Sequence, residues 1–270
     1  MKIGNKDFLT KGKTYIMGIL NVTPDSFSDG GKWNEKDAAL RHVEAMLEEG
    51  MDILDIGGES TRPGYTMISD QQEIDRVVPM IEEVKAHFDV PISLDTYKSA
   101  VAKAGISAGA DLINDIWGLK YDANMANVIA AAEVPCCLMH NRRNADYRCF
   151  FTDFLEDLQG TIDIAKAAGI TPESIILDPG VGFAKSYENN LECVRKLPEL
   201  ISAFGLPVLL GTSRKSMIGL ALNLPADQRV EGTVATSVMA AMAGCMFVRV
   251  HDVKANARAV KMTEAICYGV

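Results

Sequence analysis

Tyr15-Ile16-Met17-Gly18-Ile19-Leu20, then Asn21-Val22-Thr23-Pro24-Asp25-Ser26-Phe27-Ser28-Asp29-Gly30-Gly31, then a helical pattern over 37–49, sets the plan of this chain. The first six residues are a short apolar run that reads as a buried strand. The next eleven have no hydrophobic periodicity but hold one proline, two glycines and a lone Phe27. A long polar loop at the tip of a buried strand is where function concentrates, because a rigid element holds mobile groups above it.

The same unit recurs. Apolar runs at 15–20, 53–56, 91–94, 112–113, 135–139, 175–177, 207–210 and 247–250 predict strands. Helical patterns at 37–49, 70–87, 99–108, 124–132, 152–168, 190–200, 229–243 and 253–266 follow them in turn. Gly50, Gly109, Gly169, Gly205 and Gly244 come where left-handed helix caps belong. Eight such units in 270 residues, with no linker or low-complexity break, fit one (β/α)8 barrel (TIM barrel) of class α/β better than an open doubly wound sheet. The single domain is expected to span 1–270, with an N-terminal β-hairpin over 1–13 closing the bottom and the barrel over 14–270.

Bulk properties narrow the partners. The chain is 48% hydrophobic and carries a net charge of −9, which disfavours nucleic acid and anionic membranes. The first residues lack the apolar region of a signal peptide, and the apolar stretch 234–248 is too short to span a bilayer, so a cytoplasmic protein is expected. Its six cysteines form no CxxC pair; Cys136 and Cys137 sit in an apolar strand and read as packing residues.

In a barrel the site lies at the C-terminal ends of the strands. Those ends carry Asn21, Asp55, Asp95, Asn114 with Asp115, His140, Asp178, Ser213-Arg214-Lys215, and Arg249 with His251. One buried polar group is commonly structural; eight converging on one face mark a site. Carboxylates dominate one side, while Arg214, Lys215, Arg249 and His251 gather at strands seven and eight, where barrels often hold phosphate. The set suits a flat, donor-rich heterocycle with an anionic tail, since a carboxylate accepts two bonds from an amino group beside a ring N–H.

Seven motifs then carry a resemblance: NVTPDSFSDGG at 21–31, DILDIGGESTRPG at 52–64, SLDTYK at 93–98, GADLINDIWG at 109–118, LDPGVGFAK at 177–185, GTSRKS at 211–216 and RVHDV at 249–253. In order and register they resemble the dihydropteroate synthases, which join 6-hydroxymethyl-7,8-dihydropterin pyrophosphate to 4-aminobenzoate and release pyrophosphate. The resemblance implies that Asp95, Asn114, Asp178 and Lys215 hold the pterin, with Ile116, Met139 and Phe183 packed around its ring. It implies that Asn21 ligates Mg2+ on the pyrophosphate, that Arg249 and His251 hold that anion, and that Phe27, Thr61, Arg62, Pro63 and Ser216 shape the aminobenzoate pocket. Asp95, Lys215, Arg249 and His251 would be the catalytic set. A homodimer through the last helices is implied too, where Ala255, Ala257 and Ala259 allow close packing.

Other readings stay open. Asp55 has a structural alternative as partner of a neighbouring loop backbone, Lys98 has one as cap or lining of the third helix, and Trp117 reads as a packing residue. Asp115 should point away if Asn114 points inward. The segment from His140 to Ala145 departs from the family pattern, so His140 is left out of the expected site; Ala184 stands where glycine is usual, which matters if that position needs positive φ. The competing functions are a methyltetrahydrofolate methyltransferase barrel, which would need no pyrophosphate machinery, and a non-catalytic pterin-binding paralogue, which would be expected to lose Asn21, Lys215 or Arg249.

Overall fold

The computed structural model describes residues 1–22, 32–59 and 66–269. It begins with an antiparallel hairpin of β1 (Lys2–Ile3) and β2 (Lys6–Asp7). Eight parallel strands follow: β3 (Tyr15–Asn21), β4 (Ile53–Gly57), β5 (Ile92–Asp95), β6 (Leu112–Asp115), β7 (Cys136–Met139), β8 (Ile175–Asp178), β9 (Leu209–Leu210) and β10 (Phe247–Val250). They run side by side in the order β8-β7-β6-β5-β4-β3-β10-β9. A parallel bridge between Leu177 and Val208, with the Leu177 N–H donating to the Pro207 carbonyl at 2.9 Å, joins β8 to β9 and closes the barrel.

Helices fill the outside: α1 (Lys32–Glu48), α2 (Asp70–His87), α3 (Ser99–Ala108), α4 (Met125–Ala132), α5 (Phe150–Ala167), α6 (Tyr187–Arg195), α7 (Leu197–Phe204), α8 (Ser216–Leu222), α9 (Val230–Ala243) and α10 (Val253–Tyr268). α2 starts on a capping box, in which the Ser69 hydroxyl accepts from the Gln72 N–H and the Gln72 side chain accepts from the Ser69 N–H. The helix expected over 190–200 is two helices. Pro198 has no N–H for the Val194 carbonyl, so α6 ends and α7 restarts with proline in its first turn. α8 is an element the sequence pattern did not announce. Among the described residues no helix is long and apolar enough to cross a membrane.

Strand alternation sorts the core. Outward residues such as Ile16, Leu20, Leu54, Ile92, Ile113, Leu138, Leu177 and Val248 pack with the helices. Inward residues Tyr15, Met17, Ile53, Leu112, Cys137, Ile176, Leu209 and Phe247 form a separate cluster with Ile3 and Phe8 of the N-terminal segment. Phe8 plugs the bottom, its ring 4.8 Å from Tyr15 and 5.6 Å from Phe247. Cys136 faces outward and Cys137 inward, both fully buried, with burial pushing their thiols up; they serve as small apolar residues.

One step further up, the inward residue of five strands is polar: Ile53 gives way to Asp55, Ser93 to Asp95, Leu112 to Asn114, Ile176 to Asp178 and Phe247 to Arg249. The apolar layer anchors the strands and the polar layer above it builds the site.

Candidate active site

Arg249 is the hub of the polar layer. Its Nε donates to Asp55 Oδ2 at 2.6 Å and its Nη2 to Asp95 Oδ2 at 2.8 Å. Asp55 also accepts at Oδ1 from Ser93 Oγ at 2.5 Å and from Asn114 Nδ2 at 3.4 Å. Its partners are therefore neighbouring side chains inside the barrel, not a loop backbone. Asp95 Oδ1 is buried with no hydrogen-bond partner among the described residues. Burial, opposed by the Arg249 charge and reinforced by Asp55, pushes the Asp95 carboxyl up to about 7. An acceptor held this way is ready for a ligand N–H. Asn21 at the tip of β3 lies beside it: a Cβ placed on Gly57 would stand 3.6 Å from Asp95 Cβ and 3.8 Å from Asn21 Oδ1.

Across the barrel, Asp178 Oδ1 accepts the Gly180 N–H at 2.7 Å. Burial pushes its carboxyl up, against the pull of the Lys215 charge and the Gly180 bond. Lys215, lowered to about 8 by burial with Asp178 opposing, donates to the Val181 carbonyl at 2.5 Å and lies 4.8 Å above the Phe183 ring. Beside Lys215, through Phe183, lies an apolar cluster of Tyr97, Ile116 and Met139, with Trp117 and Phe183 packed against it. A flat ring packs against such a surface, with Asp178 to accept its donors and Lys215 and Asn114 to meet its acceptors.

Asp115 points the other way, as alternation requires, and accepts the Trp117 and Leu119 N–H groups at 2.8 and 2.7 Å, shaping the turn that carries Ile116. His251 is oriented by Ser213, whose Oγ lies 3.1 Å from its backbone nitrogen and 2.9 Å from its Nδ1. Ser216 opens α8 and is exposed. Arg214, expected in the cationic corner, instead pairs with Asp252 at 2.6 Å. Phe27, Thr61, Arg62 and Pro63 lie outside the described residues.

Several supporting residues escaped the sequence reading. Lys98 precedes α3, but its ammonium is buried 2.7 Å from both Glu59 and Glu73, and it donates to the Ile68 carbonyl at 2.8 Å. Those two glutamates outweigh the burial that would otherwise lower Lys98, and its pKa is raised. Tyr97 donates its hydroxyl to Glu59 as well. This knot ties together both ends of the segment that carries Thr61 to Pro63. Arg229 plays a similar part for Lys215, its Nη1 donating to the Arg214 and Lys215 carbonyls at 2.9 and 3.3 Å. His140, left out on sequence grounds, is fully buried beneath the site and pushed down to about 4, chiefly by burial. Its Nε2 meets Asp157 at 2.9 Å and its Nδ1 meets Lys185 at 2.8 Å. An ammonium only donates, so Nδ1 accepts and Nε2–H donates to Asp157. Only a lone His-Asp or Lys-carbonyl pairing far apart in sequence could have signalled these, and no local motif encodes one.

The family model described as pterin-binding enzyme matches residues 17–251. The chain is 60% identical to the dihydropteroate synthase of Clostridium beijerinckii over 98% of this chain and 99% of that one. It is 53% identical to that of Bacillus subtilis over 95% of this chain and 90% of that one. Among solved structures it is similar to the Clostridium difficile dihydropteroate synthase obtained in the presence of pteroic acid (TM-score 0.92, 46% identity, 99% of each chain covered). It is also similar to the Xanthomonas albilineans dihydropteroate synthase with 4-aminobenzoic acid (TM-score 0.90, 41% identity, 95% of this chain and 94% of that one).

Proposed function

The chain belongs to the pterin-binding enzymes and, among them, to the dihydropteroate synthases, and from that premise we propose how its residues divide the work. It is a transferase that condenses 6-hydroxymethyl-7,8-dihydropterin pyrophosphate with 4-aminobenzoate to give 7,8-dihydropteroate and pyrophosphate. The methyltransferase and non-catalytic readings give way to relatives of that one activity along nearly the full chain. The observation that carries the division of roles is the set of inward strand-tip groups, with Asp178, Lys215 and an Asp95 oxygen that has no partner among the described residues, together with the apolar cluster that Lys215 meets at Phe183.

Asp178 accepts from the pterin amino group and adjoining ring N–H, Lys215 and Asn114 donate to ring acceptors, and Ile116, Met139 and Phe183 hold the ring flat. The methylene carbon then loses its bond to pyrophosphate oxygen, and the electron pair leaves with the anion. Positive charge spreads into the electron-rich ring, where ionised Asp95 offsets it. Arg249, through Nη1, and His251 receive the departing anion. The aminobenzoate nitrogen attacks the methylene carbon and afterwards sheds its proton; the arylamine is neutral at pH 7, so no strong base is needed. Phe27, Thr61, Arg62, Pro63 and Ser216 are assigned to the aminobenzoate pocket, and exclusion of water there protects the cation from hydrolysis.

The donor set bears on Mg2+. Among the described residues no three His, Cys, Asp or Glu side chains are grouped to hold a metal ion. One amide oxygen at a strand tip fits a hard cation that keeps most of its waters and arrives on substrate phosphate. Asn21 would supply that oxygen, and Mg2+ would neutralise charge on the pyrophosphate. Asn21→Ala is expected to raise the Mg2+ concentration for half-maximal rate about tenfold, the factor equal to about 1.4 kcal/mol, while pterin alcohol binds as before. An unchanged Mg2+ titration would remove Asn21 from this role.

A homodimer is assigned to α9 and α10, which pack together and leave Met239, Met242, Met262 and Ile266 exposed. Light scattering at micromolar concentration is expected to give twice the 29.3 kDa chain mass. A single-chain mass would contradict the assignment.

A further inference from the structure

The segment between β7 and α5 is hydrogen-bonded to two stretches of backbone that carry members of the apolar cluster. Asn141 Nδ2 donates to the Ile116 carbonyl at 3.1 Å, and the Tyr147 hydroxyl donates to the Ala184 carbonyl at 3.0 Å. The first bond holds the backbone of Ile116 itself and the second that of Ala184, the residue after Phe183; Ile116 and Phe183 belong to the same apolar cluster as Met139. Tyr147 is itself fixed. The Arg142 guanidinium lies 4.3 Å over its ring, and the His140 ring stacks beside it at 6.3 Å. Arg142 in turn pairs with Asp157, which also accepts from His140.

The stretch that Tyr147 holds is under backbone strain. Ala184 has φ +44, a left-handed conformation that costs a residue with a Cβ roughly 1–2 kcal/mol. Lys185 holds the other end of the same turn, donating to the Gly180 and Phe183 carbonyls at 2.9 and 3.1 Å. Gly180 has no room for a side chain there, because a Cβ would stand 2.0 Å from the His140 carbonyl oxygen. The turn is thus pressed against β7 at one end and held in a strained form at the other.

We propose that Tyr147 is a positioning residue for pterin binding: its hydroxyl, braced by Arg142 and His140, holds Ala184 in the left-handed conformation that sets Phe183 against the pterin ring. This rests on the pterin packing against the Ile116–Met139–Phe183 cluster. The Tyr147 hydroxyl is spent on the Ala184 carbonyl, so it acts through the turn.

Tyr147→Phe keeps the ring stacking and removes one hydrogen bond. It is expected to weaken binding of 6-hydroxymethyl-7,8-dihydropterin about threefold to tenfold, the worth of one hydrogen bond, and to raise the KM for pterin pyrophosphate equally. The KM for 4-aminobenzoate should stay put. Ala184→Gly removes the strain, so adding Tyr147→Phe to that variant should cost less than half as much on a logarithmic scale. A wild-type chain that binds no pterin by calorimetry would overturn the reading of the cluster. Normal wild-type binding with unchanged affinity in Tyr147→Phe would overturn the clamp alone. Equal losses for both substrates, or the same loss with and without Ala184→Gly, would also overturn it.

Discussion

Arg249→Met should lower folding stability by about 3–5 kcal/mol at pH 8, the cost of leaving buried charge without its partner. Arg249 is the counter-ion of two carboxylates, one of them, Asp55, with a side chain 0% exposed. Asp55 keeps Ser93 and Asn114 as hydrogen-bond donors in the variant, whereas Asp95 keeps no partner for Oδ1. Asp95 therefore carries the part of the loss that depends on pH. Its folded pKa, about 7, is already above the roughly 4 of an unfolded chain, and losing the Arg249 charge raises it further. A raised acid binds more protons folded than unfolded, so its penalty is absent below pH 4 and complete above the folded pKa. Stability should thus fall as pH rises from about 4 through 7 in the wild type. In Arg249→Met the fall should continue above pH 7 where the wild type levels off, so the gap between the two proteins should be wider at pH 8 than at pH 5 by about 1.4 kcal/mol. Urea midpoints at pH 5 and pH 8 measure both, and equal stability at pH 8 would show that the carboxylates do not depend on Arg249.

Asp178→Ala and Asp178→Asn should both weaken pterin binding by on the order of 2–3 kcal/mol, about 30- to 150-fold, by removing a charge-assisted pair of hydrogen bonds. The two substitutions separate recognition from local structure. Asparagine can still accept the Gly180 N–H that Asp178 Oδ1 takes at 2.7 Å, so the turn is kept. Its amide nitrogen would meet the pterin donors with donors of its own. Gly211 puts no side chain against the other oxygen, where a Cβ would lie 3.7 Å from Oδ2. Calorimetry with the pterin alcohol should show loss in both variants. Wild-type affinity in Asp178→Asn would mean that Asp178 only shapes the turn.

The barrel and the inward polar layer were legible because both follow from local rules. A buried parallel strand reads as an apolar run, and a period of two puts Asp55, Asp95, Asn114, Asp178 and Arg249 on one face and Asp115 on the other. The break between α6 and α7 was written in Pro198 and could have been read there. What could not be read is the pairing among polar residues. Arg249 and Asp55 are 194 residues apart, and Arg229 reaches Lys215 only because α8 and α9 fold back over the turn. For the same reason Arg214 looked like part of the cationic corner: its run with Lys215 is visible in sequence, its pairing with Asp252 is not. The unusual segment after His140 and the alanine at position 184 were two separate oddities in the chain. In the fold they touch.

The strand-tip array joins a pterin methylene to an arylamine with loss of pyrophosphate. Purified chain mixed with 6-hydroxymethyl-7,8-dihydropterin pyrophosphate, 4-aminobenzoate and Mg2+ tests this in one assay of both products. Dihydropteroate and pyrophosphate are expected in equal amounts, with turnover nearly abolished in Asp178→Ala. Pyrophosphate without dihydropteroate, or no product at high enzyme concentration, would contradict it.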